Sequence, residues 1–245
     1  METNADATRI GVVYVEDGAT PASTRVAELT KFLPLGVQVR LAPQPAPDEE
    51  NTVEHAERLA LSEDIESAAM QLLSYRPKVI SYDCMTVSFV MGSKKDEIAK
   101  RIEAVTGIPA VTTSMAVLRA LTKLRVQRVA IASPYLADVE ERLVQFLGSN
   151  GFFVVGGRSL ALERNHSCVT SNQIRETARA ADVPSADVIL IGCAGQKTAE
   201  FIADLEQELG KPVVTANQAT MWAAMRLAGV STLRNDVGAL MAQPW

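Results

Sequence analysis

Cysteine occurs three times and histidine twice in 245 residues, and aromatic side chains make up 5% of the chain. Three cysteines, an odd number, do not make a disulfide framework, so the thiols are expected free in a reducing cytoplasm. No pair of ligands has the spacing of a structural zinc site. His166 and Cys168 come nearest to one, and no metal is expected. Neither a Walker loop nor a G-x-G-x-x-G run is present, so nothing points to a nucleotide or a nicotinamide. Basic clusters are missing too, and the formal charge of −5 argues against nucleic acid or an anionic membrane as partner. No apolar run approaches the roughly 20 residues of a membrane span. The opening Met1-Glu-Thr-Asn-Ala-Asp is polar and acidic, unlike a signal peptide.

What remains, 47% hydrophobic and 22% charged residues, is the composition of an ordinary globular protein with one large core or two smaller ones. Short β-rich runs alternate with amphipathic stretches. Strands are expected at 12–15, 37–41 and 78–83, and the proline-rich segment 42–51 reads as a loop. Helices are expected over 62–75, around Ile98, Ile102 and Val105, around Val139, Leu143 and Phe146, around Ile202, Leu205 and Leu209, and over 217–228. His55 falls in a polar helical stretch and reads as solvated. Buried runs joined by helical crossovers give an α/β fold with parallel sheets.

The chain also repeats itself. Lys78-Val-Ile-Ser-Tyr-Asp-Cys84 answers Asp187-Val-Ile-Leu-Ile-Gly-Cys193, Gly107-Ile-Pro-Ala-Val-Thr answers Gly210-Lys-Pro-Val-Val-Thr, and Arg9-Ile-Gly-Val-Val13 answers Arg128-Val-Ala-Ile-Ala132. The offsets, 109, 103 and 119 residues, drift as loop lengths would. Two Rossmann-like units are therefore expected, related by a pseudo-twofold axis, with a cleft between them. Their extents are 1–112 plus 216–245, and 113–215, the last helix crossing back onto the first unit.

In open α/β sheets, ligands gather at the carboxyl ends of strands, beside helix N-termini. Cys84 and Cys193 lie at such ends, in equivalent positions. A lone cysteine there is most often a buried hydrophobe. A pair in a duplicated unit points instead to two thiols on one substrate, with ionisation favoured by the adjoining helix N-terminus. The backbone N–H groups of Met85 and Thr86, the Thr86 hydroxyl, and Ala194 and Gly195 on the other side are candidate donors to a carboxylate or enolate oxygen. Thr86 and Ser88 serve equally well as helix caps. Tyr135 is either a cleft donor or an exposed aromatic. Asn165 lies in an irregular run, and Glu16 and Asp17 follow the first strand.

These features, with Ser133-Pro-Tyr-Leu-Ala-Asp-Val-Glu-Glu-Arg-Leu143 and Pro212-Val-Val-Thr-Ala-Asn-Gln218, resemble the aspartate/glutamate racemase superfamily. Within it they are most similar to the branch of maleate cis–trans isomerases and arylmalonate decarboxylases. The resemblance implies a cofactor-free enzyme acting on a small carboxylate, and a homo-oligomer is possible. It makes Cys84 and Cys193 the catalytic pair, Tyr135 the donor to the substrate carboxylate, and Asn165 a substrate contact. Decarboxylases of the branch have glycine in place of Cys84 and a hydroxyl residue in place of Met85. Where the isomerases carry an asparagine, this chain has Glu16-Asp17-Gly18. An acid there, Asp17 above all, suits a substrate ammonium better than a dianionic diacid. The leading expectation is an isomerase, either a racemase or a maleate-type enzyme. The alternatives are a decarboxylase using Cys193 alone and a non-enzymatic two-lobed binding protein. A thiol-redox role has no C-x-x-C to support it.

Overall fold

A computed structural model of the chain describes residues 7–16, 18, 20–46, 50–92 and 96–244. Among these residues the backbone forms two parallel sheets of four strands. The first has the order β2-β1-β3-β4, from β1 (Thr8–Glu16), β2 (Val37–Pro45), β3 (Val79–Asp83) and β4 (Ala110–Thr112). The second, β6-β5-β7-β8, uses β5 (Arg128–Ser133), β6 (Phe153–Ser159), β7 (Val188–Ile191) and β8 (Val213–Thr215) in the same arrangement. The α/β architecture with two related parallel sheets is the one the duplication predicts. The inner strands β3 and β7 are buried along their whole length, which is why they read as unbroken runs rather than alternating ones.

The repeat extends to individual side chains. Glu103, on α5 (Glu97–Thr106), accepts the Ala110 N–H at 2.8 Å; Glu206, on α9 (Ile202–Leu209), accepts the Val213 N–H at 2.8 Å. Each carboxylate ties the end of a helix to the strand that follows it. Each helix ends on a glycine in the left-handed region, Gly107 at φ +68° and Gly210 at φ +65°. Glu206 does more than its counterpart, since its second oxygen accepts the Ala239 N–H at 2.8 Å and anchors the C-terminal segment.

Two expected boundaries are corrected. The run read as a loop from residue 42 stays in strand β2 through Pro43 and Pro45. It can do so because β2 is an edge strand, where a proline loses no ladder hydrogen bond on the open side. The helix expected over 62–75 is α3 (Asp64–Gln71) followed by a 3-10 turn, Leu73–Tyr75, closed by Arg76 at φ +53°. Ahead of it lies α2 (Val53–Leu61), capped by Thr52, whose side chain accepts the His55 N–H.

The two sheets share a core. Helix α10 (Ala216–Leu227) is buried from Ala216 to Arg226, and it packs on α6 (Thr113–Leu124), β3 and β4 as well as on β8. Thr220 and Thr113 meet at 2.9 Å where these helices touch. A second link runs from α1 (Ala22–Thr30). There Glu28 Oε1 accepts the N–H groups of Thr198 and Ala199 at 2.6 and 2.9 Å.

The carboxylate ties predict graded stability losses. Glu206→Ala leaves two partly buried N–H donors unpaired and should cost about 2–3 kcal/mol, whereas Glu103→Ala leaves one and should cost about 1–2 kcal/mol. Urea titration reads both, and equal losses, or none, would contradict the roles given to these side chains.

Candidate active site

Strands β1, β3, β5 and β7 each deliver a residue, at or just past the carboxyl end, to one pocket of about 770 Å³ open to solvent. From β1 comes Val15, from β3 come Asp83 and Cys84, from β5 comes Tyr135, and from β7 come Cys193, Ala194 and Gly195. Met85, Thr86 and Asn165 line the same pocket. Cys84, Met85, Thr86, Tyr135, Asn165, Cys193, Ala194 and Gly195, scattered over more than a hundred positions of sequence, thus meet in one place. Asp17 lies outside the described residues. Glu16 is exposed and does not line the pocket; its Oε1 accepts a hydrogen bond from Tyr14 Oη at 3.4 Å.

The thiols are presented differently. Cys84 is the N-cap of α4 (Met85–Phe89), in extended backbone at φ −145°. Cys193 sits at φ +78°, a left-handed conformation that costs a non-glycine residue about 1–2 kcal/mol. Such strain persists where surrounding structure over-determines it, and it marks functional turns. The residue before it is a glycine with little room for a side chain. A Cβ on Gly192 would lie 3.1 Å from the Tyr135 ring, so the tyrosine packs against the turn that holds the thiol.

Tyr135 is buried, with its ring edge-to-face with Phe89 at 6.1 Å and near His166 at 5.7 Å. Its hydroxyl makes no well-formed hydrogen bond with the protein, and neither does the buried Ser167 hydroxyl beside it. Burial holds the tyrosine ionisation well above its ordinary value, although the neighbouring Thr86 opposes this, so Tyr135 is a neutral donor. Buried hydroxyls without protein partners are costly unless something else accepts from them. The lining also includes the apolar side chains of Val15, Ala46, Ala56, Leu59 and Val87, interspersed with Asn51, Thr52 and His55. The site therefore offers both donors and hydrocarbon.

The electrostatics correct one expectation. A helix N-terminus was expected to favour the thiolate of Cys84, and the N–H groups of Val87 and Thr86 do act that way. Burial outweighs them, with the Asp83 charge adding to it, and the thiol is pushed up to about 11. Asp83 is itself raised to about 6 by burial, against the pull of the Arg25 guanidinium.

Several pocket residues escaped the sequence reading as functional candidates, among them His55, Arg25, Ser167 and Asp83. His55, taken as solvated, is buried in the wall, with Nδ1 3.0 Å from Arg58 Nη2. Arg25 is buried on α1 and stacks over Tyr14 at 5.1 Å; a charged helix position reads as solvent-facing, and only its place just after β1 signals otherwise. Ser167 lies two residues from Asn165, and Asp83 is the residue before Cys84. His166, considered with Cys168 for a metal, instead has Nε2 2.8 Å from the Leu162 carbonyl, while Cys168 is exposed.

The sequence profile of the arylmalonate decarboxylase (Amdase) family matches residues 52–241. The chain belongs to the arylmalonate decarboxylase family. It is 35% identical to arylmalonate decarboxylase of Bordetella bronchiseptica over 175 residues, covering 69% of this chain and 73% of that enzyme. It is 26% identical to maleate isomerase of Pseudomonas putida strain KT2440 over 199 residues, covering 78% and 80%. Among solved structures, a liganded arylmalonate decarboxylase mutant superposes with a TM-score of 0.85 at 28% identity, covering 96% of this chain and 98% of that one. In that mutant one glycine is replaced by cysteine and one cysteine by serine. This family member thus folds like an arylmalonate decarboxylase while carrying two cysteines in its pocket.

The raised thiol predicts a pH profile. Alkylation of Cys84 should be slow at neutral pH and climb as pH rises toward about 11, because burial disfavours the charged form. Asp83→Asn should move the climb to lower pH by removing a neighbouring negative charge. Mass-spectrometric labelling resolves the site, and a midpoint near neutrality in the unmodified protein would contradict the burial argument.

Proposed function

We propose that this chain is a cofactor-independent isomerase of a small carboxylate, working through Cys84 and Cys193. One observation carries the reading: a thiol from each sheet lines a single pocket whose floor also holds the unpartnered hydroxyls of Tyr135 and Ser167. We take the units as 1–112 with 216–245, and 113–215, with substrate between them. A reducing, cytoplasmic setting suits the free thiols, and among the described residues no helix is long and apolar enough to cross a membrane.

The chemistry follows from the donors. A substrate carboxylate accepts hydrogen bonds from Tyr135, Ser167 and Thr86, and from the N–H groups that follow each cysteine. Asn165 reaches it from the rim. Withdrawal of the α-proton turns that carboxylate into an enediolate, on which the same donors bond more strongly as charge develops. Cys84, held as a thiol, is the proton donor in the resting enzyme. In this proposal Cys193, as the thiolate, has the part of the base that starts the reaction. It takes the α-proton as Cys84 returns one to the opposite face, and the two sulfurs end with their protonation states exchanged. On an unsaturated diacid the same thiolate adds to the double bond. Rotation about the resulting single bond and elimination then give the trans isomer.

A decarboxylase is the second reading, favoured by the 35% identity to the Bordetella enzyme. There Cys193 alone, as a thiol, protonates the enediolate left by carbon dioxide. Cys84 has no task in that reaction, and the resemblance gives the decarboxylases glycine at its position.

The readings separate on two substitutions. Cys84→Ser and Cys193→Ser should each lower isomerisation by about 10³-fold or more, since a serine hydroxyl is far less acidic than a thiol. Cys168→Ser, on an exposed turn, should be nearly silent. Decarboxylation retained in Cys84→Ser and lost in Cys193→Ser would establish the second reading instead.

A further inference from the structure

Behind Asp83 lies a smaller space of about 250 Å³ that shares Arg25, Asp83, Ala194 and Gly195 with the main pocket. The two spaces therefore adjoin, and each thiol is next in sequence to a residue that borders both, Asp83 before Cys84 and Ala194 after Cys193. Its polar lining is unbalanced in an informative way. Asn217 is 3% exposed, and its Nδ2 donates to the Gln196 carbonyl at 2.8 Å. That bond fixes the amide orientation and leaves Oδ1, a buried acceptor, without a donor. Glu28 is 4% exposed; its Oε1 is occupied by the Thr198 and Ala199 N–H groups, and its Oε2 has no hydrogen-bond donor, with Lys31 Nζ at 3.6 Å. Among the described residues Asp83, 3% exposed, has one hydrogen-bond donor, Thr113 Oγ1 at 3.5 Å. Thr20, Thr24, Lys197 and Arg25 complete the border; Lys197 is exposed, and the Arg25 guanidinium lies over the Tyr14 ring.

Two buried carboxylates and a buried amide oxygen border this space together with donors on Thr20, Thr24, Arg25 and Lys197, yet among the described residues Asn217 Oδ1 and Glu28 Oε2 accept no hydrogen bond. Buried acceptors of this kind are satisfied by a ligand that brings hydrogens, and two negative charges favour one that brings a positive charge as well. We propose that this space is a subsite for a protonated amine carried on the carbon held between Cys84 and Cys193, making the preferred substrate an α-amino carboxylate with an apolar side chain. The three substituents then have three seats. The carboxylate goes to the hydroxyls of Tyr135 and Ser167, the side chain to the wall of Val15, Ala46 and Leu59, and the ammonium to Asp83, Glu28 and Asn217. The inference rests on the isomerase reading. It moves recognition of the ammonium from the acids after β1, where sequence placed it, to the floor behind Asp83. The arrival of a cation there also relieves the burial that raises Asp83.

Phenylglycine and its methyl isostere α-phenylpropionate differ at this one substituent, so they make the test. Exchange of the α-hydrogen in deuterated water is followed by proton NMR for each compound. The measurements use the unmodified protein, Asn217→Leu, Asn217→Asp and Cys193→Ser. The unmodified protein should exchange phenylglycine faster than the isostere. The ratio of the two rates should fall by about tenfold or more in Asn217→Leu, the loss expected when one buried hydrogen bond to a charged group is removed. Asn217→Asp, which keeps an acceptor, should preserve preference for the amine, and it guards against a folding defect being mistaken for lost recognition. A protein that exchanges α-phenylpropionate as fast as phenylglycine, with Cys193 required, overturns the subsite and leaves the isomerase reading standing. Exchange of neither compound overturns the subsite and with it the α-proton form of the isomerase reading, leaving the cis–trans form to the Cys84→Ser and Cys193→Ser test.

Discussion

The molecule depends on one helix that has no solvent side. α10 follows the last strand of the second sheet, yet it is buried along nearly its whole length because it packs on α6 and on strands of the first sheet as well. Burying Met221, Trp222 and Met225 is worth about 1.5–3 kcal/mol for each side chain, and neither sheet alone covers them. The two units therefore share a core and are fixed relative to each other. The carboxyl ends of β3 and β7 are brought to the same pocket, and with them the two thiols. Glu28 strengthens the arrangement at the pocket floor, since it reaches from α1 to the turn that follows Cys193.

The pocket illustrates how burial divides labour between chemically identical groups. Cys84 and Cys193 hold equivalent places in the repeat. One is an N-cap in extended backbone, buried next to a carboxylate, and stays a thiol. The other rests on a left-handed turn against the Tyr135 ring. A reaction that withdraws a proton on one face and supplies one on the other needs such a difference at the start. In the proposed reaction the neutral hydroxyls fit the same logic, because they would stabilise developing negative charge without adding a full positive charge beside the thiols.

Much of this was legible in the chain. Cys84 and Cys193 could be paired because duplication leaves an imprint that survives divergence, and Glu103 and Glu206 carry it to the level of single hydrogen bonds. Tyr135, Thr86 and Gly195 followed from the rule that ligands collect at strand ends. The failures have a common cause. Arg25 and His55 are polar residues on amphipathic helices, and periodicity assigns such residues to solvent unless the opposing surface is known. That surface is a pocket lined from both halves of the chain, which local pattern cannot show. Pro43 and Pro45 misled for a related reason, since a proline breaks an inner strand but not an edge, and edges are defined by neighbours. The raised ionisation of Cys84 depends on how deeply the strand end is covered, a property of the assembled fold rather than of the residues beside it.

The central claim is that both thiols address one carbon. A crystal structure with an unreactive carboxylate bearing a quaternary α-carbon tests it most directly. The account predicts that this carbon lies between the sulfurs of Cys84 and Cys193, about 3.5–4 Å from each once its extra substituent is allowed for, with the carboxylate on the Tyr135 and Ser167 hydroxyls. A ligand seated against Cys193 alone, with Cys84 turned away into the core, would contradict it.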